Sequence, residues 1–149
     1  MQSVKLAWDD IQLGTETGRV DIAITDAVLD FYLSTMELDI AWFTTGAAPY
    51  GKRIAPPDMV PKLAMEPLFQ DYLNGNIGQN IRAKQAFQFI APVFVGTTVH
   101  GVGHLVEKYE RRGRRFVTVE GVFTDDSGNR LVLDRRTQML LSDDFNMRS

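Results

Sequence analysis

Hydrophobic residues recur with two different periods along the chain, and the period changes near Asn80. Residues 19–25 alternate apolar with polar or small side chains, a pattern that predicts a short strand. Thr25 then offers an N-cap, and apolar side chains follow at helical spacing, namely Leu29, Tyr32, Leu33 and Met36. We therefore expect a strand followed by an amphipathic helix that ends between Met36 and Leu38.

The middle of the chain predicts an irregular loop, a stiff turn and a second helix. Residues 39–51 are rich in aromatic side chains and lack a regular period, so a loop is expected that can include a short helical turn. Residues 53–60 then contain two adjacent prolines, which fix their own φ and hold the preceding residues extended. Asp58 stands at the N-cap position of a helical pattern that Pro67 must kink or restart.

From Asn80 onward the apolar residues alternate, which predicts strands. In the first of these strands, Ile81, Ala83, Phe87 and Phe89 are expected on one face. Three more strands are predicted at residues 97–110, 116–124 and 131–141, and the glycine-containing turns between them favour antiparallel hairpins. The order of elements predicts one α+β domain over residues 1–149, with a flexible tail at 142–149.

Composition and charge narrow the classes of function. The chain has 149 residues, a net charge of −3 and a pI near 5.3, which argues against a dedicated nucleic-acid binder. It has no cysteine, which excludes disulfides, thiolate metal sites and a cysteine nucleophile. The beginning of the sequence lacks the apolar run of a signal peptide, and no window suggests a membrane span. A cytoplasmic location without membrane or nucleic-acid partners is therefore expected.

Three segments resemble the MaoC-like hotdog proteins, a family of (R)-specific enoyl-CoA hydratases and acyl dehydratases. They are Val20–Thr25 before the first helix, Arg53–Met59 before the second, and Phe89–Thr97 before a long strand. The resemblance extends from about Asp9 to Leu141. It implies an α+β hotdog fold, in which a curved antiparallel sheet wraps around a central helix, and dimers in which two sheets join edge to edge. It also implies an acyl thioester of coenzyme A or an acyl carrier protein as the substrate, with no further cofactor.

The same resemblance implies a degenerate catalytic site. Hydratases of the family use an aspartate and, five positions later, a histidine to add water to a double bond. Those positions are Glu37 and Trp42 here, with Asp39 between them, and an indole cannot shuttle a proton. A backbone N–H at the start of the central helix polarises the thioester carbonyl in the family, and that position is Pro57, which has no N–H.

Three functional hypotheses follow. The first is an acyl-thioester-binding protein, either the substrate-holding subunit of a hydratase or a relative without the dyad, as a homodimer or a heterodimer with another hotdog subunit. Its apolar acyl pocket would contain Trp42, Phe43, Pro57, Met59 and Met65, unless these side chains simply belong to the core. The second is an active hydratase or dehydratase whose rebuilt site uses Glu37, Asp39 or Asp58. The third is a non-catalytic hotdog protein that binds a small ligand.

Two further groups of residues invite a functional interpretation. His100 and His104 are the only histidines. They fall in a strand, where four residues span roughly 13 Å, too far for one metal ion, so no metal site is expected. The arginines at 111, 112, 114 and 115 suit the phosphates of coenzyme A. Glu107 and Glu110 lie close enough in sequence to balance them, which favours a solvated hairpin turn.

Overall fold

A five-stranded antiparallel sheet with one long helical segment against it dominates the structure, a computed structural model that describes residues 6–46 and 50–141. The predicted flexible tail at 142–149 lies outside the described residues. The strands, in the spatial order β1–β3–β4–β5–β2, are β1 (Glu16–Ala23), β2 (Asn80–Phe89), β3 (Thr98–Arg111), β4 (Arg114–Thr124) and β5 (Arg130–Leu140). The helices are α1 (Asp26–Thr35), α2 (Ala41–Thr44) and α3 (Met59–Met65), and a 3₁₀ turn covers Trp8–Asp10. The predicted α+β arrangement is confirmed.

The first helix follows the sequence pattern, whereas the start of α3 does not. The Thr25 hydroxyl accepts a hydrogen bond from the Val28 N–H at 3.1 Å, so the predicted N-cap of α1 is confirmed. Asp58 occupies the cap position of α3, but it has helical backbone angles and makes no capping bond. Its carboxylate instead pairs with Lys62 at 2.8 Å, one turn further along the helix. The expectation that the Asp58 side chain caps this helix was wrong, because a lysine competes for the same oxygens.

Pro67 widens the central helix rather than ending it. The chain passes from α3 directly into a π-helical turn, Glu66–Gln70, in which the Asp71 N–H bonds to the Glu66 carbonyl five residues earlier. A second π-helical turn, Leu73–Ile77, closes the segment. A proline has no N–H and its ring crowds the preceding turn, so a locally widened helix accommodates it. The kink or restart expected at Pro67 is therefore a π-helical turn.

A row of three glycines lets the widened helix lie directly on the sheet. Gly18, Gly103 and Gly121 are cross-strand neighbours on β1, β3 and β4. A Cβ atom on Gly103 would lie 2.9 Å from the Leu68 carbonyl oxygen, and one on Gly121 would lie 2.8 Å from the Phe69 ring. A Cβ atom on Gly18 would clash with the Pro67 carbonyl oxygen. The backbones of helix and sheet therefore approach more closely than they could if any of these three positions carried a side chain.

Two polar contacts fix the helical segment to the sheet. The Thr17 hydroxyl of β1 donates a 2.7 Å hydrogen bond to the Leu68 carbonyl oxygen. On β5, the buried guanidinium of Arg136 pairs with the buried Asp134 carboxylate at 2.8 Å and donates to the Pro61 carbonyl at 3.3 Å. Burial raises the pKa of Asp134, and Arg136 opposes that effect. The central helix is thereby held on the sheet near its start and near its middle.

The edge strand β2 departs from the predicted alternation. A β-bulge lies between Arg82 and Lys84, and it shifts the register against β5. Phe87 therefore pairs with Asp134 on the helix side of the sheet, while Ile81 pairs with Met139 on the opposite side. The expectation that Ile81 and Phe87 share a face was wrong, because one extra residue reverses the direction of every side chain before it.

Candidate functional site

The turn that leads into the central helix is fastened to the connection between β2 and β3. The Ala55 N–H donates to the Val93 carbonyl at 2.7 Å, and the Val95 N–H donates to the Arg53 carbonyl at 3.1 Å. Between these two bonds, Ile54 pairs with Phe94 in an antiparallel bridge. The entry of α3 thus has a fixed backbone, as a site for a bound carbonyl group requires.

Arg53 joins this turn to the first two helices. Its Nε donates to the Phe43 carbonyl at 2.7 Å, and its two terminal nitrogens pair with Asp26 at 2.7 Å and Asp30 at 2.6 Å. The Arg53 side chain is only 17% exposed. A guanidinium group offers five donors in a rigid fork, so a single residue can hold α1, the end of α2 and the turn together. The sequence pattern gave no sign of this role, since the partners lie up to 27 residues away.

Glu37, the candidate base, lies in the C-terminal cap of α1. Its φ is +54°, in the left-handed region that glycine prefers. Its N–H bonds to the Ser34 carbonyl at 3.2 Å, and the Leu38 N–H bonds to the Leu33 carbonyl at 2.9 Å. These two bonds form a Schellman motif with a glutamate in place of the usual glycine. The exposed Glu37 side chain is therefore presented to solvent by a strained but well-bonded backbone.

Asp39 and Asp58, the other candidate bases, lie in different surroundings. Asp39 is exposed in the segment between α1 and α2. Asp58 lies with Lys62 and Tyr32 between α3 and α1. The hydrogen bond that Lys62 donates to Asp58 and the contact of Lys62 with Tyr32 raise the pKa of Lys62, and burial raises the pKa of Tyr32. Lys62 is therefore an ammonium and Tyr32 a phenol at neutral pH, so this cluster offers two proton donors beside a carboxylate.

Aromatic side chains surround the same turn on its exposed side. The Trp42 and Tyr50 rings meet edge to face at 5.8 Å, and the Tyr50 and Phe94 rings meet in the same way at 6.1 Å. The Lys52 ammonium lies 4.5 Å from the centroid of the Phe94 ring. Trp42 is 44% exposed, and its carbonyl accepts a hydrogen bond from the Ile54 N–H at 3.2 Å. We call these four residues the aromatic cluster; Tyr50, Lys52 and Phe94 were absent from the sequence-based pocket.

The five residues of the predicted acyl pocket are divided between core and surface. Phe43 and Met59 are buried in the core. Trp42 belongs to the aromatic cluster, Pro57 is exposed in the turn, and Met65 is exposed at the end of α3. The hydrogen bond from Ile54 to the Trp42 carbonyl joins the segment of Trp42 to the turn that contains Pro57, whereas Phe43 and Met59 belong to the core. Their role in ligand binding stays a prediction.

The two histidines lie on β3, and within the described residues none of their side-chain hydrogen bonds reaches the turn at Pro57. His100 lies between two carboxylates, with Nδ1 2.7 Å from Asp21 and Nε2 2.6 Å from Asp126. His104 pairs in register with Glu16 on β1 and Glu120 on β4. Over residues 6–46 and 50–141, no three histidine or carboxylate side chains are arranged as ligands for a metal ion.

The sheet order and the single central helix define the class of the protein as a hotdog fold. The family model described as "FAS1-like, dehydratase domain region" matches residues 11–134. The chain belongs to this family, among the MaoC-like hotdog proteins. The resemblance inferred from the sequence is thereby confirmed, and so is the predicted fold class.

Solved structures show the same fold at low sequence identity. The monoamine oxidase regulatory protein from Archaeoglobus fulgidus superposes with a TM-score of 0.79 at 18% identity, over 94% of this chain and 97% of that chain. The truncated HadBC complex from Mycobacterium tuberculosis, a 3R-hydroxyacyl-ACP dehydratase, gives 0.68 at 19% identity over 86% and 100%. The (R)-hydratase from A. caviae, involved in PHA biosynthesis, gives 0.68 at 16% identity over 86% and 96%.

A sequence comparison with the curated proteins finds no match to this chain. Within the described residues, no helix is both long and apolar enough to cross a membrane.

Proposed function

We propose that this protein binds an acyl-CoA and holds it for a catalytic partner, or acts as a relative of the hydratases that lacks their dyad. The observation that carries the proposal is the turn into the central helix. It has the fixed backbone of a thioester site, but Pro57 has no N–H to donate and Trp42 stands where the resemblance expects a histidine. Removing one such donor typically lowers the rate about a hundred- to a thousandfold.

The histidines support this interpretation. A rebuilt dyad needs a histidine that can move a proton between substrate and water. His100 uses both ring nitrogens on Asp21 and Asp126, and His104 lies four residues further along β3, in register with Glu16 and Glu120. Neither residue is bonded to the turn that contains Pro57.

The aromatic cluster is the surface best suited to an acyl group. Trp42 and Tyr50 expose apolar ring area, and burying such a side chain contributes about 1.5–3 kcal/mol. The Lys52 ammonium beside Phe94 adds a positive charge at the edge of this apolar area. An acyl chain linked to a phosphate-bearing carrier matches both features, because the chain is apolar and the phosphate is negatively charged.

A partner subunit fits the exposed edge of β2. Among the described residues this strand pairs only with β5, so its other side presents backbone groups without a partner there, and Ile81, Phe89 and Ile90 are exposed along or just beyond it. The similar HadBC structure is itself described as a complex. We propose that a second hotdog subunit, either another copy or a different chain with the dyad, joins the sheet here.

The test measures binding and turnover separately. Titration calorimetry of the purified protein with dodecanoyl-CoA and with coenzyme A should show tighter binding of the acyl form. Trp42→Ala should weaken dodecanoyl-CoA binding about tenfold or more. Phe31→Ala, which removes an exposed ring of α1 outside the aromatic cluster, is the matched control and should leave it unchanged. Binding of neither compound would favour a small-ligand-binding protein instead.

Turnover decides between holding and catalysis. The protein alone should not remove the absorbance of trans-2-enoyl-CoA. A loss of absorbance that Glu37→Gln or Asp39→Asn abolishes would overturn the proposal.

The Asp58–Lys62–Tyr32 cluster favours a second candidate, an active hydratase with a rebuilt site. The Lys62 ammonium could replace the missing backbone donor toward a thioester carbonyl, and Asp58 could accept a proton. If this function holds, Lys62→Met and Asp58→Asn each abolish hydration of the enoyl-CoA, whereas Asp39→Asn leaves it intact. If the protein alone shows no hydration, this candidate is excluded.

A further inference from the structure

The turn between β3 and β4 carries four arginines in five residues, 111–115, and we call it the arginine turn. Its two central residues, Arg112 and Gly113, have φ values of +52° and +73°. Positive φ at both central residues is the requirement of a type I′ hairpin turn. Arg111 and Arg114 are the last cross-strand pair before the turn.

The local structure does not explain these arginines. The first central position of such a turn favours asparagine, aspartate or glycine, because other residues are strained in the left-handed region. Like charges directly opposite each other on neighbouring strands also destabilise a hairpin. Arg112 and the Arg111–Arg114 pair therefore oppose the stability of the turn that contains them. Backbone strain of this kind persists chiefly at positions that serve a function.

The glutamates nearby neutralise the arginine turn only in part, because Glu110 pairs with it and Glu107 does not. Glu110 pairs with Arg115 at 2.8 Å, and Arg115 also lies over the Trp8 ring at 5.1 Å. Glu107 lies instead 3.9 Å from Arg135 of β5. Arg111 and Arg112 form no ion pair with any residue that the structure describes. Although the chain has a net charge of −3, the described residues thus present a positive surface at this turn.

The arginine turn projects from the sheet. Over residues 6–46 and 50–141, the register of β1 against β3 ends at His104 and that of β5 against β4 ends at Phe116, so the hairpin extends beyond both neighbours. All five residues of the turn are exposed. Sites for small molecules are concave, and a projecting turn is not, which disfavours coenzyme A as its ligand. The acidic character of the whole chain disfavours nucleic acid.

We propose that the arginine turn is a docking surface for an acidic protein, whose carboxylates pair with Arg111 and Arg112. A guanidinium group binds a carboxylate through two parallel hydrogen bonds, so two adjacent arginines define an orientation as well as an attraction. The surface is separate from the turn at Pro57, so this inference does not depend on the proposed function.

The test uses a fluorescein-labelled, glutamate-rich helical peptide of about 20 residues as the probe. Fluorescence anisotropy with the full chain should show binding at 50 mM salt that weakens strongly at 300 mM, because exposed charges are screened. Arg112→Asn should weaken binding about two- to fivefold. It should also raise the thermal midpoint by a few degrees, because asparagine tolerates the positive φ. A merely structural arginine would not combine lower affinity with higher stability.

The control is Arg130→Gln, which removes an exposed arginine from the start of β5 with the same change of net charge. It should leave peptide binding unchanged. Equal weakening by Arg112→Asn and Arg130→Gln, or no peptide binding at 50 mM salt, would overturn the proposal. Tighter binding of a DNA duplex than of the peptide, or weaker binding of coenzyme A to Arg112→Asn than to the original chain, would also overturn it. Dodecanoyl-CoA binding should be identical in Arg112→Asn and the original chain, which keeps this test independent of the acyl-binding proposal.

Discussion

Glu37 closes α1 in a backbone conformation that glycine adopts more readily. Together with Arg112, it is one of two non-glycine residues with positive φ among the described residues. Its N–H is satisfied by Ser34, so the strain lies in the contact between its Cβ atom and the backbone. The geometry of the helix end therefore favours glycine and does not explain the glutamate. The family resemblance makes this glutamate a candidate base.

Glu37→Gly should stabilise the protein by about 0.5–1 kcal/mol, since relief of the left-handed strain exceeds the extra entropy of glycine in the unfolded chain. Urea unfolding followed by circular dichroism measures the difference. Ser34→Gly, three residues earlier inside the helix, is the control and should destabilise by about 0.5 kcal/mol. A Glu37→Gly variant less stable than the original chain would mean that the carboxylate makes a stabilising contact that outweighs the strain.

His100 is the residue that makes stability depend on pH near neutrality. Hydrogen bonds to Asp126 and Asp21 raise the pKa of His100 above 6.5. The folded state then binds the proton more tightly than the unfolded state, so this contribution is complete below the unfolded pKa of about 6.5 and is lost as the pH rises through the folded pKa. The free energy of unfolding should therefore contain a component that falls above pH 6.5.

His100→Gln should remove this component, whereas His104→Gln should retain it. Urea unfolding from pH 5 to 9 measures the profile, and NMR titration of the two imidazoles gives the pKa of His100 directly. A His100 pKa at or below 6.5 would contradict the geometry in which two carboxylates accept its ring protons.

At the scale of elements, the packing of the central helix depends on the glycine row rather than on apolar side chains alone. The widened turn at Pro67 and Leu68 lies where the sheet has no side chains. Phe69 then fills the space above Gly121 and beneath Arg136, whose guanidinium lies 5.4 Å from the ring. Helix and sheet are thus matched at one place, where a π-helical turn meets three glycines.

Gly103→Ala should destabilise the protein by about 1–3 kcal/mol, because the added Cβ atom would press on the Leu68 carbonyl and the Thr17 hydroxyl. Gly75→Ala is the matched control, since a Cβ atom there meets nothing within 4 Å. It should be neutral or stabilising by up to about 1 kcal/mol. Thermal unfolding distinguishes the two variants, and equal stability for both would show that the helix does not rest on the glycine row.

The elements that depend on local pattern were predictable, and those that depend on distant partners were not. The N-cap at Thr25 and the alternation in β3 to β5 follow from neighbouring residues, and the structure contains both. The bulge near Ala83 depends on how β2 meets β5, and no residue in β2 marks it. Arg53 and the aromatic cluster likewise assemble from segments far apart in sequence, so only the position of the turn, and not its contacts, was foreseen.

At the scale of the whole molecule, the two edge strands of the sheet differ in how well they can pair with the sheet of a second subunit. The edge strand β1 carries Glu16, Arg19 and Asp21, and charged side chains protect an edge from further pairing. The edge strand β2 exposes Ile81 and Phe89, with Phe89 stacked on Phe87 at 5.6 Å. A second subunit is therefore expected on β2 and not on β1.

Phe89→Lys should weaken this assembly, because it places a charge where a 48% exposed ring would become buried. The loss of about 1.5–3 kcal/mol corresponds to roughly a ten- to hundredfold higher dissociation constant. Analytical ultracentrifugation measures it for the chain alone, or for the chain with a second hotdog subunit if the chain alone is monomeric. Leu13→Lys, at a comparably exposed apolar residue just before β1, is the control and should leave the association unchanged. An association that survives Phe89→Lys, or that Leu13→Lys abolishes, would place the interface elsewhere. Of the two sheet edges that the structure describes, the β2 edge is the one that combines exposed apolar side chains with unpaired backbone groups.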